Sequence, residues 1–416
     1  MDQAPTSTST AVVAGGGIAG AAVSLLLARE GWQVTLLERA PRRSDAGAGI
    51  LLQPNGLAVL DGLGLRDRLH ERAHVICSSD LWDGRGTQLV HLPVPDFGDG
   101  LDHALALRRR DLLSALQDAV EGEPRISIVD GVSVTGADRL GRVTFEMAGD
   151  PASARTIAGA DLVIGADGVH SRVRSGGAFG ARVRPTGSVY ARALVAPVDA
   201  VVGEVWSELG VFVSAPVGDA TYFGLDVTHP DVVTAIEQGD RHAFVARWSA
   251  AAPAIAPIIT QLGSIEDLLV NPVEVVEAAT FVDGRLVLIG DAAHAMEPTL
   301  GQGANSALVD AAVLVRHLAR WTHPTQDGSG PDADAVRAAL RAYDAERRPA
   351  VRRVQRDATR LARMAAIRGR CGRWLCNATI RLTARGAGAE RRYRSAQQVE
   401  PAALLADVAR RAPIPA

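Results

Sequence analysis

Three glycines near the start of the chain, Gly15, Gly17 and Gly20, stand in the GxGxxG spacing between two apolar stretches, AVVAGGG and QVTLLE. Each has a mechanical use: Gly15 permits a tight turn, Gly17 lets the backbone approach a pyrophosphate, and Gly20 allows a helix to pack closely on a strand. Ile18 and Ala19 open that helix, whose unpaired N–H groups face the phosphate. Glu38, eighteen residues after Gly20 and followed by Arg39, ends the second stretch and can accept hydrogen bonds from both hydroxyls of a ribose. The spacing predicts a dinucleotide site. It does not by itself distinguish a nicotinamide from a flavin.

Two further segments make that distinction. In DLVIGADGVHSRVR, residues 161–174, Asp167 and Gly168 follow a buried strand. In GRLVLIGDAAHAMEPTLGQGANSALVDAAVL, residues 284–314, Gly290 and Asp291 follow another, ahead of Pro298, Gly301, Gln302, Gly303, Ala304 and Asn305. A carboxylate at Asp291 can accept a hydrogen bond from a polyol chain, and Gly301 and Gly303 let a backbone loop lie against a flat ring. The helix starting near Ala304 turns its positive end toward that ring, which stabilises an anionic reduced flavin. The competing structural readings are a helix cap for Asp291 and a simple turn for Asp167.

These segments resemble the Asp-Gly and Gly-Asp motifs of the single-component FAD monooxygenases, the group related to para-hydroxybenzoate, salicylate and urate hydroxylases, over about residues 11–360. The resemblance implies FAD as the resident cofactor, NADH or NADPH as a transient electron donor, and O2 as co-substrate. Reduced nicotinamide would pass hydride to FAD, oxygen would add at flavin C4a, and the distal oxygen of the hydroperoxide would go to an electron-rich carbon of an aromatic or similar flat molecule. It further implies that Asp167 and Gly168 hold FAD and shape the nicotinamide's route. Arg109, flanked by Arg108 and Arg110, would lie near the FAD phosphates, where a bidentate guanidinium is suited. Gly49, Ile50 and Gln53 would run beside the flavin. Pro298 opens the loop over the ring, so Pro298, Gly301 and Gly303 form the catalytic backbone, with no side-chain base identified. His294 in GDAAH has the chemistry of a general base; the resemblance favours a packing and hydrogen-bonding role.

From about residue 182 to 280 the texture changes to VYARALVAP, GVFVSAP and TYFGLDV, which reads as a mostly antiparallel sheet with a few helices. Val211 and Val213 alternate to one face, and Tyr222 or Phe223 joins them as a substrate contact, although a one-residue slip would invert every side chain. Arg192 matches a family arginine that either meets a substrate carboxylate or serves a structural role.

The elements that must position these residues form an α/β protein. It comprises a Rossmann-like FAD-binding domain of the GR2 type, an inserted antiparallel-sheet substrate domain and a helical C-terminal region. We place FAD-binding segments at 1–78, 101–181 and 281–366, strands joining the substrate sheet at 79–100, the substrate domain at 182–280 and a basic helical tail at 367–416. Helices are expected at 57–72, 110–121, 303–320 and 334–366, and buried strands at 161–166 and 285–290.

Composition narrows the function. The 416 residues carry a formal net charge of -3, so small molecules are better partners than nucleic acid or an anionic membrane. Cys77, Cys371 and Cys376 have no metal-ligand spacing and form no disulfide framework. Lysine is absent, which excludes Schiff-base chemistry and the flavin halogenases, which need a lysine. The leading residues lack a secretory signal and no apolar run reaches about 18 residues. We therefore expect a cytoplasmic monomer or homodimer without metal. An epoxidase or Baeyer–Villiger oxygenase, an FAD reductase acting without oxygen, and a flavin-binding sensor remain as alternatives, separable by product analysis, anaerobic turnover and absence of NAD(P)H oxidation.

Overall fold

The computed structural model describes residues 9–40, 48–321, 332–383 and 387–410. Most of the polar linker after residue 321 lies outside them.

The VVA, VTLL, LVIG and LVL stretches are apolar without alternation, as strands covered on both faces require. They assemble into a six-stranded sheet in the order Val282–Asp283, Leu286–Leu288, Leu162–Gly165, Thr10–Ala14, Gln33–Glu38 and Ile126–Asp130. All neighbours in it are parallel except the two-residue edge strand. Helix Ile18–Arg29 is buried along nearly its whole length, between this sheet and helix Gly303–Trp321. Parallel strands end at one edge, so the turns after Ala14, Glu38, Gly165 and Leu288 are brought together there, at the crevice where such sheets bind ligands.

A second, seven-stranded sheet runs in the order Leu269–Glu277, Arg182–Val195, Ala220–Asp226, Gly210–Val217, Gly203–Ser207, Ser78–Asp83 and Gln88–Pro93. Helices Pro230–Glu237 and Arg241–Ala251 cover one face of it, over a core that includes Phe212, Phe223, Trp248 and Ile259. On the opposite face Val217, Ala220 and Tyr222 pack against Ile76 and Ala106 of a small sheet formed by Gly49–Leu52, Ala104–Arg108 and His74–Ile76. The two halves of the molecule meet at this seam.

Several elements differ from the sequence expectation. The helix expected at 57–72 is two, Pro54–Gly62 and Arg66–His70, because Gly64 takes a φ of +79° between them. The region 334–366, whose sequence reads as more than one helix, is a single helix, Ala333–Ala365, that accommodates Pro349. A three-stranded sheet of Val132–Ala137, Val143–Met147 and Asp150–Ile157 had no counterpart in the sequence reading. The tail is helical as expected, in three helices, Arg370–Thr383, Ala387–Ala396 and Pro401–Ala409. Its last helix packs so tightly on Pro54–Gly62 that a Cβ on Gly62 would stand 2.5 Å from Val408.

Candidate active site

Contacts between backbone atoms define the cleft. Gly15 has a φ of +98°, and a Cβ there would stand 2.5 Å from the Ala166 carbonyl oxygen, so the GxGxxG turn lies directly against the turn carrying Asp167 and Gly168. A Cβ on Gly20 would come within 1.8 Å of the Gly15 carbonyl oxygen, which forces glycine where the helix meets the strand. A Cβ on Gly290 would lie 3.3 Å from that of Ala19, bringing the turn of Gly290 and Asp291 to the other side of the same helix start. Glu38 closes the group: its carboxylate accepts from the backbone N–H of Gly16 and, at 2.7 Å, from that of Ala40. Each of its oxygens retains a second lone pair for a ribose hydroxyl. Arg39 is exposed beside it, and Ile18 is buried under the turn.

Asp167 accepts through Oδ2 from the backbone N–H groups of Arg172 at 2.7 Å and Val173 at 3.3 Å, ahead of a short helix whose cap is Ser171. Its Oδ1 is buried without a partner. Asp291 is exposed at the first position of helix Asp291–His294, whose cap is Gly290, and makes no capping bond, so the cap reading of Asp291 fails. Arg109 has solvent-accessible area, yet the surrounding protein desolvates it enough to lower its pKa, while the charge of Asp291 opposes that shift and the charge of Arg192 adds to it. Asp291 and Arg192 thus lie near enough to Arg109 for their charges to act on it. Its neighbour Arg108 pairs instead with Asp219.

The loop after Pro298 is held by buried amides. Gly301 takes a φ of +60°. Gln53 donates to the Leu300 carbonyl at 2.9 Å, and Gln302 donates to Gln53 at 2.7 Å. Asn305 accepts from the Gln53 backbone N–H at 3.0 Å and donates to the carbonyls of Leu51 and Gly301. The side chains of Gln53, Gln302 and Asn305 are thereby committed to protein partners, and what Gln302, Gly303, Ala304 and Asn305 offer a cofactor is backbone. Gln397 and Gln398 of the tail join the network, through Gln53, Asn55, Gln302 and Ser306. Beneath it His294, buried at 1% exposure, bonds through Nε2 to Asp310, which also accepts from Arg347 at 2.7 Å and from the Gly290 N–H at 2.9 Å. His294 is a packing and hydrogen-bonding residue.

Strand register divides the expected substrate residues between two faces of the sheet. Tyr222 and Phe223 point to opposite sides; Phe223 stacks on Phe212 with ring centroids 5.5 Å apart in the helix-covered core, which removes it as a substrate contact. Val211 packs with Leu89, Trp206, Cys376 and Ile380 against the tail, and is likewise a core residue. Tyr222 lies on the seam with the small sheet: a Cβ on Gly49 would stand 2.5 Å from its ring. Val213 and Arg192 are neighbours of Gly224 on that same face, and Arg192 donates to Asn271 at 2.7 Å. Ile50 stands half-buried next to Gly49.

Residues that sequence reasoning passed over also face this space. Burial raises the pKa of Tyr190, and the charges of Glu297, Asp226 and Glu204 raise it further. Burial also raises Glu204, against a hydrogen bond from Trp206. Glu297 carried a signal, its position next to Pro298; Tyr190, Glu204, Asp310 and Arg347 carried none, since only tertiary contacts single them out.

The cleft fits FAD on the protein's own geometry. A Cβ on Gly17, Gly168 or Gly303 would meet no atom within 4 Å, so each of these backbones is open to a group approaching from outside. The orphaned Oδ1 of Asp167 wants a donor, and the helix at Gly303 supplies unpaired N–H groups.

Comparison with known proteins agrees. The family described as "FAD binding domain" matches residues 8–358. The chain is 35% identical over 324 residues to 2-heptyl-3-hydroxy-4(1H)-quinolone synthase of Pseudomonas aeruginosa, covering 74% of this chain and 80% of that protein. It is 32% identical to 3-amino-4-hydroxybenzoate 2-monooxygenase of Streptomyces cremeus, covering 84% and 86%. Among solved structures, the tetrameric form of 2-methyl-3-hydroxypyridine-5-carboxylic acid oxygenase superposes with a TM-score of 0.73 at 25% identity, over 95% of this chain and 98% of that one.

Proposed function

The chain belongs to the FAD-binding-domain family of aromatic monooxygenases, and from that premise we propose that the cleft between the strand-end turns and the loop at 298–305 holds FAD and hydroxylates a flat aromatic molecule seated on the Tyr222 face. Bound FAD supplies the reduction of O2 with electrons from NADH or NADPH and the delivery of one oxygen atom. The protein does the rest. Gly15, Gly17, Gly20 and the helix start receive the pyrophosphate, Glu38 the ribose, Asp291 the polyol chain and Arg109 the negative charge. The helix opening at Gly303 places its positive end at the loop, where charge on a reduced ring would be stabilised. Buried amides hold that loop in one shape, which keeps water from the reacting atoms. Arg192, Val213 and Tyr222 supply the substrate wall.

The observation that carries this reading is the meeting of the strand-end turns around one helix start, with Gly15 against Ala166 and Gly290 against Ala19. It is tested by purifying the protein, recording its visible spectrum and following NADH and NADPH oxidation in air with phenolic and heteroaromatic compounds. The expected result is a yellow protein whose oxidation of the nicotinamide is stimulated by a compound that gains one oxygen. A colourless protein that cannot be reconstituted with FAD would overturn the reading, and turnover only without oxygen would move it to a reductase. Product analysis separates hydroxylation from epoxidation and Baeyer–Villiger insertion.

The division of the chain into FAD-binding and substrate segments belongs to the same proposal, as do a monomeric or homodimeric state and a cytoplasmic location. Free Cys77, Cys371 and Cys376 support the location. No described helix is long and apolar enough to cross a membrane.

A further inference from the structure

Register across the seven-stranded sheet sets a transverse row on its Tyr222 face. Arg192 stands opposite Gly224, Gly224 opposite Val213, Val213 opposite Glu204, and Glu204 beside Leu81. Directly paired residues share a face, so an arginine and a glutamate look the same way across a glycine and a valine, with Cα atoms about 14 Å apart at the usual strand spacing. The floor between them is low: a Cβ on Gly224 would come within 2.8 Å of the Tyr222 hydroxyl and 3.2 Å of Val213.

The two ends of the row differ in what they lack. Arg192 spends Nη2 on Asn271, while its Nε is buried without a partner. Glu204 accepts from the Trp206 indole at 2.9 Å, and among the described residues no salt bridge pairs it with an arginine or histidine. Burial disfavours its ionised form. A carboxylate in that position is stabilised by an additional N–H or O–H donor, and costs free energy without one. Glu297, the residue before Pro298, lies instead by the strand of Arg192: its Oε1 accepts from Ser188 at 2.9 Å, and its Oε2 is buried without a partner. With one acceptor bond from Trp206 and no cationic partner among the described residues, the Glu204 end of the floor favours a hydrogen-bond donor and disfavours an anion.

We infer that Glu204 contacts the substrate, accepting a hydrogen bond from a ring N–H or hydroxyl, while Arg192 at the far end of the row takes a carbonyl or oxyanion. The preferred substrate class is then a neutral heteroaromatic ring system with a donor at one end and an acceptor at the other, a cyclic vinylogous amide, in preference to a benzoate-like carboxylate. The inference rests on the monooxygenase reading of the same cleft.

The test uses the FAD-loaded full-length protein with 4(1H)-quinolone and its N-methyl derivative as probes, titrated while the visible flavin spectrum is followed. Wild type is expected to bind the N–H compound about tenfold or more tightly than the N-methyl compound, the scale of a hydrogen bond to a charged group. Glu204→Ala abolishes that preference. Glu204→Gln, which keeps an acceptor for Trp206 and so keeps the local packing, reduces it to a few-fold. Equal affinity for the two probes in wild type, no spectral response to either, or a preference that survives in Glu204→Ala with FAD still bound would each overturn this assignment alone. Failure of the wild-type protein to take up FAD would overturn the monooxygenase reading, and this assignment with it.

Discussion

Asp310 joins three segments through one carboxylate: the Gly290 turn, His294 and Arg347. Burial alone would raise its pKa, but the charges of His294 and Arg347, with hydrogen bonds from His294 and the Gly290 N–H, more than offset that and bring it below the ordinary carboxylate value. A folded-state pKa lowered in this way contributes stability that is present above the unfolded value near 3.8 and is lost as pH falls through the folded value. Asp310→Asn leaves Arg347 buried without its counter-ion, and breaking a buried pair costs about 3–5 kcal/mol. We expect a lower denaturation midpoint at pH 7 and a shallower loss of stability on acidification than in wild type. A variant as stable as wild type at pH 7 would show that the pair contributes nothing net. His294 was legible as a packing residue through the resemblance of GDAAH to the family motif. Its partners were not, since helix register alone decides which residue of Gly303–Trp321 and of Ala333–Ala365 turns inward.

At the scale of elements, the tail reaches back to the loop at 298–303. Gln397 donates to Gln53 at 3.1 Å and accepts from the Asn55 backbone N–H at the same distance, while Gln53 holds the Leu300 carbonyl. Buried amide networks cost most when partly broken, because each orphaned group loses both water and its partner. Gln397→Ala should therefore loosen the loop without unfolding the sheet. The measurable result is poorer coupling: hydrogen peroxide released per nicotinamide oxidised rises several-fold and hydroxylated product falls, with FAD retained less firmly on desalting. Unchanged coupling would mean that the tail only covers the domain. The sequence marks the loop through its glycines and Pro298, whereas glutamines in an arginine-rich tail carry no pattern that predicts burial. The helix expected at 57–72 failed in the same way in miniature, because its apolar spacing continues through Gly64 while the backbone does not.

For the whole molecule the seam between the two sheets is the decisive surface, and Gly49 sits in it against the Tyr222 ring. Gly49→Ala would drive a methyl to 2.5 Å from that ring, so the seam must open. We expect Gly49→Ala to lose FAD on desalting, Tyr222→Ala to keep FAD but bind substrate more weakly, and the double variant to regain FAD relative to Gly49→Ala, a non-additivity diagnostic of direct contact. A double variant no better than Gly49→Ala would place the cause elsewhere than in this contact.

By itself the sequence determined the βαβ unit, the turns at strand ends and the glycine-rich loop, because each depends on local backbone requirements and on apolar runs that need no distant partner. Tertiary structure decided which residues share a wall. Tyr222 rather than Phe223 faces the cleft, Val211 belongs to the core, and Arg192 and Glu204 stand in one row. The physical reason is the two-residue period of a strand: a single step of register exchanges the faces, and register is set by pairing partners far away in the chain.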